Sequence, residues 1–70
     1  MWIVIRGIRY NFANIESYRV DDDTVKLTPS VTPSQSGDIN YTIGFTGKDK
    51  IAQANELVDK IDTLLGTQTL

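Results

Sequence analysis

A change of hydrophobic period in the C-terminal half most constrains what this chain can become. Ile39, Tyr41, Ile43 and Phe45 alternate with Asn40, Thr42, Gly44 and Thr46, as in a strand with one apolar and one wet face. From Lys48 the apolar residues recur instead at spacings of three and four. They are Ile51, Ala54, Val58, Ile61 and Leu65, with Leu57 and Leu64 beside them. A strand that gives way to an amphipathic helix implies that the helix's stripe and the strand's apolar face cover one another. Gly66 follows the last apolar turn and suits a left-handed helix end. Residues 67–70 are expected to fray.

The upstream segments supply the rest of the layer. Trp2–Ile5 is a continuous apolar run rich in β-branched residues, consistent with a strand covered on both faces. Arg6-Gly7 punctuates it, and Ile8 and Tyr10 resume out of phase, which a bulge or tight turn at Gly7 explains. The stretch 11–14 reads as a corner that tucks Phe12 under the sheet. Residues 15–20 and 24–27 read as a hairpin around Asp21-Asp22-Asp23. Pairing Val20 with Val25 and Tyr18 with Leu27 puts all four on one buried face, and sets Arg19 opposite Lys26 on the other. The stretch 28–38, in which Thr-Pro-Ser occurs twice, is expected to be a mobile loop.

The expectation is therefore an α+β domain over residues 1–66. It consists of an antiparallel four-stranded β-meander followed by one C-terminal amphipathic helix packed on one face. Seventy residues leave room for one domain only, and one of marginal stability. With no cysteine and no histidine, disulfides, thiolate metal sites and the usual neutral-pH general base are excluded. Self-association is the stabilising device that remains.

The stretch Gly44-Phe45-Thr46-Gly47-Lys48-Asp49 invites comparison with a phosphate-binding loop. Such a loop needs four residues between its glycines and a hydroxyl after its lysine. Here two residues separate the glycines, and a carboxylate follows the lysine. A helix start with Thr46 as N-cap and Asp49 as its partner accounts for the same residues. An EF-hand reading of the Asp21-Asp22-Asp23 run fails because Lys26 and Thr32 fall where glycine and glutamate are required. No catalytic, cofactor-binding or metal-binding residue is assigned, no cofactor is expected, and the chain does not read as an enzyme.

Two surfaces remain. Arg19 and Lys26, with Arg9 near them, form a cationic cluster able to receive a carboxylate or phosphate unless Glu16 or Asp21 neutralises it. Trp2 and Val4 present large apolar groups on a face the helix does not need, and such patches mark association. Trp2, Val4, Arg9, Arg19 and Lys26 are thus the candidate partner surface of a protein-interaction module that forms a homodimer, with a further protein partner as a second possibility. Binding of single-stranded nucleic acid or another anion by the outer sheet face is the alternative. A net charge of −2 argues against nucleic acid. The opening apolar run is too short for a signal or membrane segment, so a soluble cytoplasmic protein is expected.

Asn11-x-x-x-Ile15-Glu16 followed by Asp23-Thr24-Val25 resembles short bacterial proteins of the flagellar-operon FlbD type in residues and spacing. The likeness covers about residues 11–25, in a layout that many short bacterial and phage proteins share. It implies a strand, a corner, a hairpin and a C-terminal helix, and no activity comes with it.

Overall fold

The computed structural model describes residues 1–30 and 40–70. Its α+β architecture has five short strands and a C-terminal helix: β1 (Trp2–Ile5), β2 (Ile8–Asn11), β3 (Ile15–Asp21), β4 (Thr24–Pro29), β5 (Tyr41–Gly44) and α1 (Lys50–Leu65). The strands do not make one four-stranded meander. They form two antiparallel sheets, β1-β2 and β3-β4-β5. The cause lies at Arg6-Gly7, where both residues take positive φ, 53° and 79°. Two left-handed residues in succession make the tight turn whose twist matches a hairpin. What reads as one punctuated strand therefore folds back on itself, pairing Ile5 with Ile8 and Trp2 with Asn11. A single 3-10 turn, Phe12–Asn14, then redirects the chain. The Asn11 side chain caps that turn by accepting from the Ala13 amide at 3.1 Å.

The β3–β4 register is the expected one: Tyr18 opposite Leu27, Arg19 opposite Lys26, Val20 opposite Val25. Pairing continues to Asp21 and Thr24, so the connection is the two residues Asp22-Asp23, with Asp22 at φ 61°. At the other end β4 runs on through Pro29, into the Thr-Pro-Ser stretch expected as loop. Residues 31–38 of that loop lie outside the described residues. Tyr41–Gly44 is extended and pairs with β4, setting Ile43 beside Val25.

The core comprises Ile3, Ile5, Phe12, Val25, Leu27, Ile43, Ala54 and Ile61. α1 lies chiefly over β4 and β3. The helix is about 24 Å long at ~1.5 Å per residue, and its fully buried positions lie two turns apart. Ala54 and Ile61 are fully buried and Leu57 and Val58 half-buried, while Ile51, expected in the covered stripe, is 49% exposed. The helix starts at Lys50 with Asp49 as N-cap and no side-chain capping bond, not at Thr46. Its far end is the expected left-handed Gly66, at φ 71°. The hairpin tip is pinned by the Arg6 guanidinium, which sits 4.4 Å from the centre of the Phe45 ring.

Burial ranks the helix positions by energy. Ile61→Ala is expected to cost about 2–5 kcal/mol, enough to unfold much of so small a domain. Ile51→Ala should cost about 1 kcal/mol or less, because half of that side chain is already in water. Urea denaturation followed by circular dichroism checks the ranking. Equal losses at the two sites would contradict this packing.

Candidate interaction surface

The β1–β2 register divides the hairpin's side chains between two faces. Trp2, Val4, Arg9 and Asn11 share one, with Val4 directly across from Arg9. Ile3 and Ile5 point the other way and are buried. β1 is therefore covered on one face only. Trp2 and Val4 stay 66% and 55% exposed, because α1 and the larger sheet are both used up on the inner side. Three of the five candidate residues, Trp2, Val4 and Arg9, are thus gathered on the outer face of the hairpin.

Arg19 and Lys26 stand apart, as cross-strand neighbours in the other sheet. Two like charges directly opposite repel, and Asp21 relieves the repulsion. Its carboxylate lies 2.6 Å from the Lys26 ammonium. The hydrogen bond and charge of Lys26, with a smaller contribution from Arg19, hold the Asp21 carboxyl below the usual aspartate range. This arrangement is complete above the ordinary aspartate range and is lost as pH falls through the lowered value. Asp23 is likewise 3.6 Å from Lys50. The aspartate run at the turn is therefore engaged by lysines at two of its three positions. Among the described residues no group of three acidic, histidine or cysteine side chains is placed to hold a metal ion. No described helix is long and apolar enough to cross a membrane.

Two features escape a reading of the sequence. The Tyr18 hydroxyl donates to Asp62 Oδ1 at 2.6 Å and lies 2.9 Å from Thr67 Oγ1, tying β3 to the helix end and to the first residue beyond Gly66. The available signal was Asp62 itself, a carboxylate at helical spacing from Val58 on the inner flank. The second feature is a groove of about 390 Å³ beside β2, walled by Trp2, Ile8, Tyr10, Ile15, Pro29 and Tyr41. Tyr10 and Tyr41 meet edge to face across it, ring centres 5.8 Å apart. It has no signal in the sequence, because its walls come from strands of different sheets.

Burial first, then the bond to Asp62, pushes the Tyr18 phenol above its ordinary value of 10.0. A raised acid favours the fold while it stays neutral, so this contribution is present below pH ~10 and is lost as pH rises through the shifted value. Asp62→Asn removes the carboxylate and keeps the phenol, so it is expected to move the Tyr18 tyrosinate absorbance step to lower pH and to loosen residues 67–70. Absorbance titration at 295 nm and backbone relaxation check both effects. An unchanged titration would remove the Tyr18–Asp62 bond from the account.

Comparison of the chain with protein-family models, curated proteins and solved structures gives no match.

Proposed function

We propose that this domain is a small non-catalytic interaction module that self-associates as a dimer through the outer face of the β1–β2 hairpin. The observation that carries the reading is the exposure of Trp2 and Val4 side by side on a face opposite the core. Tryptophan anchors binding more often than most residues when it is desolvated at the centre of a contact. The fold also has reason to use such a contact, since a domain of 70 residues buries a smaller share of its surface than larger domains do, roughly 60%. Arg9 sits at the rim, where it keeps its water and sets orientation. The absence of cysteine suits a reducing compartment such as the cytoplasm. The likeness to FlbD-type proteins falls on the Asn11-capped corner and the β3–β4 turn, both structural features, so it supports a shared layout and nothing chemical.

Anion or single-stranded nucleic-acid binding by Arg19 and Lys26 is the weaker reading. Lys26 already has its carboxylate, and the chain as a whole is acidic.

Light scattering coupled to size exclusion tests the proposal. The mass is expected to rise with concentration from 7.8 kDa toward twice that value. Val4→Lys places a charge at an exposed position and should hold the protein at 7.8 kDa with an unchanged circular dichroism spectrum. A wild-type chain that stays monomeric at millimolar concentration would end the self-association reading.

A further inference from the structure

We infer that the open edge of β2 and the groove beside it take an extended strand from a partner protein, with apolar side chains at alternate positions and a carboxylate next to Arg9. This goes beyond self-association, which uses the hairpin's outer face; the groove lies along its edge.

The backbone argument comes first. A two-residue turn makes its flanking pair, Ile5 and Ile8, a hydrogen-bonded pair, and alternation makes Ile3 and Tyr10 the next. The Phe12 amide, donating to the Met1 carbonyl at 2.8 Å, continues the series. Arg9 and Asn11 therefore turn their amides and carbonyls away from β1. Among the described residues β2 pairs with β1 alone, and no other backbone hydrogen bond reaches that edge. An unpaired row of alternating donors and acceptors is a template for one kind of ligand, another extended backbone.

Side chains set the chemistry of that strand. Ile8, Tyr10 and Tyr41 line the groove, with Trp2, Ile15 and Pro29 completing an apolar wall. Residues entering beside Ile8 and Tyr10 must be apolar. Those on the opposite face lie beside Arg9, the single charged residue of the lining. The surrounding field has the same sign: residues 1–15 hold Arg6 and Arg9 and no carboxylate, in a chain of net charge −2. The remaining 55 residues (70 − 15) thus carry five cations (7 − 2) against nine acids, or −4. An acidic strand is drawn to the hairpin and repelled elsewhere.

The probe is the blocked hexapeptide Val-Asp-Val-Thr-Val-Thr, added to the full chain at low protein concentration and, in parallel, to Val4→Lys. Amide hydrogen exchange is read by NMR. The Arg9 and Asn11 amides are expected to exchange about tenfold more slowly with peptide, in both proteins, while Tyr10, already bonded to β1, is unaffected. A peptide N-methylated at alternate residues should give no protection. Replacing its aspartate by lysine should weaken binding about two- to fivefold. Absence of binding overturns the proposal, as does equal binding of the N-methylated peptide, which would mean apolar adhesion without strand pairing. Protection without peptide also overturns it. If that protection is independent of concentration, another segment of the same chain covers the edge; if it grows with concentration, a second copy does. Failure of Val4→Lys to change the mass bears on self-association alone.

Discussion

Val25 and Leu27 on β4 and Ala54 and Ile61 on α1 have no accessible surface at all, and the seam between them organises the molecule. Burying side chains of this size is worth about 1.5–3 kcal/mol each for the larger ones. Ile3, Ile5, Phe12 and Ile43, each 5–8% exposed, extend the same core. A two-stranded hairpin and a three-stranded sheet are each marginal in water without a partner layer. Ala54 and Ile61, two turns apart on the helix, are both fully enclosed where α1 meets β4 and β3. The ion pairs, by contrast, are exposed and contribute little.

That dependence dictates where the free surfaces fall. The helix is committed to the middle of the larger sheet, so the hairpin supplies only its inner side chains, Ile3 and Ile5, to the common core. Its outer face has no second layer, and its β2 edge has no neighbouring strand among the described residues. The tip, held by Arg6 over Phe45, and the base, held by the Tyr10–Tyr41 contact, keep the hairpin in place without covering it. The fully buried residues of the strands thus lie in the larger sheet, and the exposed Trp2 and Val4 in the smaller one.

The larger sheet was legible in the sequence because its signals are local and redundant. Period-2 alternation on both sides of the aspartate turn admits one register that buries Val20, Val25, Tyr18 and Leu27 together, and a slip by one residue would expose all of them. The hairpin was not legible as a separate sheet. Its first left-handed residue is Arg6, whose side chain gives no hint of positive φ, and the single glycine after it suits a bulge equally well. The helix stripe was legible in phase but not in extent, since periodicity cannot say how many turns find a sheet beneath them. Trp2 and Val4 stood out as apolar groups in excess of what a small core needs. Their separation from Arg19 and Lys26 depended on the division into two sheets, a long-range fact that no local pattern carries.

Charge distinguishes the two uses proposed for the hairpin. A two-fold contact through Trp2 and Val4 would bring two Arg9 side chains onto one interface, so its apolar attraction would work against like-charge repulsion. Salt screens that repulsion within a Debye length of about 8–10 Å and leaves the apolar term intact. The β2 edge proposed to take a strand has the opposite balance, because there Arg9 attracts a carboxylate. One cationic segment thus disfavours a second copy and favours an acidic strand. Trp2, which belongs to both the outer face and the groove wall, links them. Its ring cannot be buried fully against a second copy and also close over a bound strand. The two proposed occupants would therefore compete for one side chain, with salt and acidic strand concentration deciding between them.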